Sequence, residues 1–308
     1  MISEPALDRL WAMFRAPDLA GTRYELLSEL GRGGMGVVYL ARDTALDREV
    51  ALKIVDRVDG GVETARTADT RGDAVRALGH EARILAQLEH PGIVPVHDFG
   101  ELPDGRAYYA MKRVRGDRLD RWLAAGRDVA ARLAVFLRVC DAVAFAHAHG
   151  VVHRDLKPEN VMVGEFGEVL VLDWGIAQLP ARVAEGRGGE SIAGTPEYMA
   201  PEQARGDLEV DHRADVYALG GVLQSMSEGP ALAAIARKAR APLPAARYQS
   251  VQALAADVQR FLAGRAVGAH RERIVDRLVR VGRRYRLPIL LVLTYLAVRM
   301  LLLWLARI

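Results

Sequence analysis

The hydrophobic period of this chain changes near Gly116, and that change calls for two packed bodies of different construction. From Tyr24 to about Ile54, apolar and β-branched residues form strand-like runs, and two more follow at Ile93–Phe99 and Ala107–Val114. A Pro103-Asp104-Gly105 turn separates the last two. Between the strand blocks lie a Gly, Thr and Asp-rich loop over 59–73 and one helical pattern carried by Ala77, Ile84, Leu85 and Leu88. Beyond Gly116 the spacing lengthens to that of helices, over Leu119–Ala124, Val129–His149 and onward to about Ala263. Short strand pieces interrupt it at Val151–Val152, Val161–Val163 and Val169–Leu172. A strand-rich front and a helix-rich back predict an α+β, two-lobed arrangement: a β-rich N-lobe over 24–114 and a helical C-lobe over 115–264, joined near Lys112–Gly116.

The polar residues that stand out sit where these blocks meet. His153-Arg154-Asp155-Leu156-Lys157-Pro158-Glu159-Asn160 forms one tight loop between a helical stretch and a strand. It holds the equipment of phosphoryl transfer: Asp155 to accept or orient a hydroxyl proton, Lys157 to neutralise charge on a moving phosphoryl group, Asn160 to bind a metal ion that bridges phosphates. Gly31-Arg32-Gly33-Gly34-Met35-Gly36 matches G-x-G-x-x-G, a string shared with dinucleotide-binding folds. Those folds open it into a helix, whereas Val37-Val38-Tyr39-Leu40-Ala41 is strand-like. Val50-Ala51-Leu52-Lys53 ends an apolar strand on a lysine, and Asp173-Trp174-Gly175 follows the strand Val169–Leu172.

In this order the motifs resemble the eukaryotic-like (Hanks-type) bacterial serine/threonine protein kinase family over about Tyr24–Leu262. The resemblance implies that the backbone of the 31–36 loop covers ATP phosphates, and that Lys53 reaches the α and β phosphates while a carboxylate on the following helix holds it. Glu81 looks like that carboxylate, with Glu63 and Glu89 as competitors. Asn160 and Asp173 become the metal ligands for magnesium, with manganese as a substitute; Val38 and Ala51 above and Met162 below sandwich the adenine, and Met111 guards its back. Gly194-Thr195-Pro196-Glu197-Tyr198-Met199-Ala200-Pro201-Glu202 resembles the end of an activation segment. In it Glu202 pairs with Arg247, and Asp215 braces the catalytic loop backbone. Lys157 and Thr195 match the serine/threonine class, so the implied substrates are proteins carrying Ser or Thr. Arg154 beside Asp155 is the arrangement of kinases switched by a phosphate on that segment. Ser191 is the expected phosphosite, and Thr195 is expected against the catalytic loop.

Three features depart from the family. Trp174 replaces a phenylalanine and is expected to fill the apolar slot beside the Glu81 helix. Lys112-Arg113 places two cations in the linker over the adenine. The helix that ends near Gly229-Pro230 is followed at once by the helical pattern Ala231–Ala239 that precedes Arg247, so a helix that docks substrates and partners in typical members is missing. Trp174 and the missing helix keep a second reading open, a kinase-shaped membrane scaffold that acts by partner binding.

The net charge of +3 conceals an asymmetry. From Arg265 onward ten arginines face Glu272 and Asp276, a net +8, which leaves the first 264 residues at −5. A basic block abutting an apolar run points to a membrane face and lipid rather than to nucleic acid. Ile289–Ala306 as helix rises roughly 27 Å, close to a hydrocarbon core, although Arg299 lies within it. The expected division is an N-terminal helical extension over 1–23, the kinase domain over 24–264, a basic juxtamembrane segment over 265–286 and a transmembrane helix over 287–308. Positive residues ahead of the span keep the kinase body cytoplasmic at the inner membrane. A homodimer is the arrangement left open for autophosphorylation. The single cysteine, Cys140, excludes an internal disulfide framework and reads as a small buried apolar side chain.

Overall fold

The computed structural model describes residues 17–33, 36–55, 78–79, 82–174, 197–207, 210–269, 291–292 and 294–300. In the N-lobe, strands β1 (Tyr24–Gly33), β2 (Gly36–Asp43), β3 (Arg48–Ile54), β4 (Val96–Glu101) and β5 (Ala107–Lys112) form one antiparallel sheet in the order β1-β2-β3-β5-β4. The period of two assigns faces. Val37, Tyr39 and Ala41 of β2 bury one side with Val50, Leu52 and Ile54 of β3. Val38 and Ala51 turn to the other side, where they pack with Tyr109, Met111 and the Ala82 end of the helical segment 82–87. The sheet curls until its two edges meet: the Tyr24 hydroxyl of β1 donates to Asp98 Oδ2 of β4 at 2.9 Å. Burial of that hydroxyl, opposed by its bond from Arg23, pushes its pKa up to about 12.

The apolar run expected to be a strand from Ile93 begins its ladder only at Val96. Pro95 removes a ladder donor, and residues 92–94 bond to the C-lobe instead: Val171 N–H donates to Gly92 O at 2.8 Å, and Ile93 bridges Val171. Strand β5 likewise ends at Lys112, short of Val114, where the chain becomes the linker between lobes.

In the C-lobe, β6 (Gly116–Arg118), β7 (Val161–Gly164) and β8 (Val169–Val171) form a small antiparallel sheet. Against it lie helices α1 (Leu119–Ala124), α2 (Val129–Ala148), α3 (Pro201–Ala204), α4 (Arg213–Met226), α5 (Pro230–Ala239) and α6 (Val251–Leu262). Helix α2 starts where the Asp128 carboxylate accepts from Ala131 N at 2.6 Å, and buries Leu133, Phe136, Val139, Cys140, Val143 and Ala146 along one stripe. Burying each of the larger aliphatic and aromatic side chains there contributes about 1.5–3 kcal/mol. The Cys140 thiol is buried as expected, which pushes its pKa well up. Helices α4 and α5 are joined by residues 227–229 alone, through Gly229 at φ +85° and Pro230 at the first helical position. No docking helix intervenes.

Residues 17–20 are not helical, so the extension expected over 1–23 does not reach the domain as a helix; residues 1–16 lie outside the described residues. After α6 the chain folds back: Val267 is buried, and the Asp257 carboxylate accepts from Gly268 N at 2.9 Å and Ala269 N at 3.2 Å. The same carboxylate accepts from the Tyr248 hydroxyl and from Arg260, each at 2.8 Å. Residues 291–292 and 294–300 are helical and exposed. Among the described residues no helix is long and apolar enough to cross a membrane.

Candidate active site

Lys53 stands one residue from the end of β3, in register with Val38 and Tyr109, and so on the sheet face that looks toward the C-lobe. It is buried, and its Nζ lies 2.8 Å from Asp173 Oδ1, joining positions 120 residues apart. Asp173 follows β8 with φ +49°, a left-handed conformation that aspartate tolerates better than most side chains. Burial pushes its carboxyl up, but the Lys53 ammonium opposes this by charge and by hydrogen bond, and the carboxyl is held below the usual range. Glu81, the expected partner of Lys53, lies outside the described residues.

The catalytic loop is clamped from beneath. Asp215 of α4, fully buried, accepts from His153 N and Arg154 N at 2.8 Å each, and from His147 Nε2 at 2.8 Å. Burial alone would raise this carboxyl; the bond from His147 and the nearby histidines outweigh it and keep the group ionised. His153 is fixed as the neutral Nε2–H tautomer, with Nε2 donating to Leu172 O at 2.9 Å and Nδ1 accepting from Asp155 N at 3.3 Å. Burial holds its pKa down. Above the clamp, Lys157 Nζ donates to both Asp155 oxygens at 2.9 and 3.1 Å. Asn160 Nδ2 donates to Asp155 O at 2.8 Å and to Asp155 Oδ2 at 3.1 Å. Leu172 N donates to Asn160 O at 2.8 Å, which sets Asp173 beside Asn160.

The fit of this site to a nucleotide and a metal can be tested on its own features. With the amide nitrogen of Asn160 committed to Asp155, its oxygen is the side chain's remaining polar atom, and with the Asp173 carboxylate it offers an all-oxygen donor pair suited to a hard divalent ion. A Cβ built on Gly31 or Gly33 meets nothing within 4 Å, so protein packing does not demand these glycines. Gly36, at φ +138°, would put a Cβ 2.1 Å from Ile54 O, and only glycine fits that turn. Strand–turn–strand geometry excludes the dinucleotide reading. Gly34 and Met35 lie outside the described residues, and the Arg32 side chain turns to Glu29 at 3.2 Å. Ala51 and Met111 are buried and Val38 half-buried on one side of the cleft; Met162 of β7 is half-buried on the other. Of the two linker cations, Arg113 is engaged by an acid: its Nη1 donates to Glu49 Oε2, which also accepts from Arg115 Nη2 at 3.0 Å.

Trp174 is fully buried in the same apolar cluster as Leu85 and Leu88, with Nε1 donating to Val171 O at 3.3 Å and its ring 4.8 Å from that of His153. Glu202 and Arg247 form a buried two-armed ion pair, Nη1 to Oε1 at 2.6 Å and Nη2 to Oε2 at 2.7 Å. Ser191 and Thr195 lie outside the described residues. The remaining hydroxyl of that span, on Tyr198, belongs to a ring packed on Gly221, where a Cβ would come within 2.8 Å. Sequence reasoning missed two further contributors. His147, in the last turn of α2 and six residues before His153, reaches Asp215 beneath the loop. Gln203, whose Nε2 donates to Arg154 O at 2.8 Å, carries no signal in its spacing.

An acid set by a lysine and an amide, a second acid gripped by a buried lysine and a glycine hairpin with Gly31 and Gly33 facing open space are the parts that a phosphotransferase site needs. The chain belongs to the protein kinase family, whose protein kinase domain matches residues 24–255. It is 32% identical over 302 residues to the serine/threonine-protein kinase PknD of Chlamydia caviae, covering 79% of this chain and 31% of the relative. It is 34% identical over 337 residues to PknD of Chlamydia muridarum, covering 87% of this chain and 34% of the relative. To the DNA damage-responsive serine/threonine-protein kinase RqkA of Deinococcus radiodurans it is 42% identical over 219 residues, covering 68% of this chain and 30% of the relative. Each of these relatives is named a serine/threonine-protein kinase, and the protein kinase family in general uses ATP, a divalent metal and protein substrates. The chain spans about a third of the length of these curated relatives.

Proposed function

We propose that this chain transfers the γ-phosphoryl group of ATP to Ser or Thr hydroxyls of proteins, in signalling, from a domain spanning 24–264 that its C-terminus tethers to the inner membrane. The observation that carries the catalytic reading is the convergence of Lys53, Asp155, Asn160 and Asp173 on one cleft. The hairpin amides at 31–36 and the Lys53 ammonium hold the phosphates, and Ala51, Val38, Met111 and Met162 enclose the adenine. A divalent ion, magnesium or manganese, supplies charge neutralisation across the phosphates, and the oxygens of Asn160 and Asp173 would hold it. Asp155 accepts the hydroxyl proton as the substrate oxygen bonds to the γ-phosphorus and the bond to the ADP oxygen breaks. Lys157, already on the Asp155 carboxylate, offsets charge on the moving group.

Glu81 is assigned as the second holder of Lys53, and Ser191 as the phosphosite of the activation segment, with Thr195 against the catalytic loop. Intact metal and proton-handling groups weigh against the scaffold reading, since partner binding alone requires none of them. The membrane reading is supported by the seven arginines from 271 to 286 that precede the apolar run.

The test is incubation with labelled ATP, magnesium and a generic basic protein. The wild type labels the protein and itself. Lys53→Met and Asp155→Asn abolish labelling, and EDTA stops it until manganese or magnesium is restored. Full labelling by Lys53→Met refutes the assignment. Removing residues 287–308 moves the protein from the membrane to the soluble fraction; unchanged sedimentation refutes the tether.

A further inference from the structure

Arg154 is held in a conformation that an arginine does not choose, with φ at +67°. The peptide that joins it to Asp155 is gripped at both ends: its carbonyl accepts from Gln203 Nε2 at 2.8 Å, and its N–H donates to His153 Nδ1 at 3.3 Å. The preceding amide, Arg154 N, is bound to Asp215 Oδ1 at 2.8 Å. The orientation of this peptide plane sets the backbone of Asp155, and thereby the direction of its carboxylate.

Gln203 reaches across from α3, at the base of the activation segment. Its Oε1 accepts from Ala200 N at 3.2 Å, closing the first turn of that helix, while its Nε2 leaves the helix altogether to hold Arg154. The neighbouring Glu202 is pinned by both arms of Arg247, so the base from which Gln203 reaches is rigid. A helix cap alone needs only an acceptor. The donor half of the amide is spent on the catalytic loop.

We propose that Gln203 is a positioning residue for phosphoryl transfer, one that locks the Arg154–Asp155 peptide plane and so couples the seating of the activation segment to the aim of Asp155. The proposal rests on Asp155 as the group facing the substrate hydroxyl. Glutamate at 203 retains the capping acceptor but opposes a carboxylate to the Arg154 carbonyl, whereas methionine removes both arms at similar size.

The experiment uses the full chain with ATP, magnesium and a basic protein substrate. Glu in Gln203→Glu and Met in Gln203→Met lower kcat about 10- to 100-fold, the range that a misplaced reacting group produces, with KM for ATP within about twofold. Glycine adopts a positive φ without strain, so in an Arg154→Gly background the same Gln203→Met change costs much less kcat. The cycle is read in parallel by melting temperature, which needs no activity: Gln203→Met lowers it by less in the Arg154→Gly background than in the wild type. A Gln203→Glu enzyme with wild-type kcat, or equal losses in both backgrounds, overturns the proposal while leaving the kinase reading intact. A wild-type protein without transfer activity overturns the kinase reading, and this one with it.

Discussion

Arg247 offers the sharpest test of how the C-lobe is held together. Its guanidinium has five N–H donors, and they meet Glu202 Oε1 at 2.6 Å, Glu202 Oε2 at 2.7 Å, Ala241 O at 2.8 Å, Arg213 O at 2.9 Å and Pro242 O at 3.1 Å. Both residues are almost wholly buried. Arg247→Ala therefore strands a carboxylate and three carbonyls in an apolar setting, and removing one partner of a buried pair costs about 3–5 kcal/mol. For a domain of this size each kcal/mol moves the melting temperature by about 2–4 °C, so the expected fall is about 6–20 °C. The pH dependence follows from Glu202. Burial pushes its carboxyl up, yet the Arg247 bonds bring it below the usual range, so its stabilisation is present above the unfolded pKa and is lost as pH falls through the folded one. In the variant burial is opposed only by the backbone bond and the more distant Arg205, the carboxyl rises, and protonation relieves the stranded charge. Thermal melts of both proteins from pH 7 down to about 4.5 should show a gap that is widest at neutrality and narrows on acidification. A fall of less than about 2 °C, or a gap that does not change with pH, refutes the reasoning.

Asp215→Asn exchanges a carboxylate oxygen for an amino group facing backbone donors, and should cost about 3 kcal/mol in urea denaturation together with most of kcat; a fully active, equally stable variant contradicts the clamp. Trp174→Phe leaves Val171 O without its side-chain donor and opens a small void, for about 1–2 kcal/mol, with phosphoryl transfer retained. Loss of transfer in that variant would show that tryptophan does more than fill the slot. Asp257→Asn should speed hydrogen exchange at the Gly268 and Ala269 amides while those of α4 remain protected, as read by mass spectrometry.

Lys53 and Asp173 were legible because each follows an apolar run, where a polar side chain has few reasons to be, and Asp155 and Asn160 because they share one short polar loop. Lys53 stands one residue from the end of β3 and Asp173 follows β8, and strand alternation then leaves little choice of face. Glu202, Arg247 and Asp215 were legible through the family's order of motifs. Contacts that depend on curvature were not. Tyr24 and Asp98 sit on opposite edges of the sheet, and no periodicity records that the edges close on each other. Of the two linker cations that looked anomalous, Arg113 is engaged by Glu49, 64 positions away in sequence. Gln203 escaped for a further reason: its partner is a carbonyl exposed by a strained turn, and neither the strain nor the carbonyl is written in side-chain identity.

The junction after α6 determines how force enters this domain. Four donors converge on one carboxylate at Asp257, two of them the amides of Gly268 and Ala269, so the chain leaves the C-lobe through a riveted joint rather than a swivel. A load applied at Ala269 therefore passes to α6, and through its packing on α2 and α5 to the helices beneath the catalytic loop.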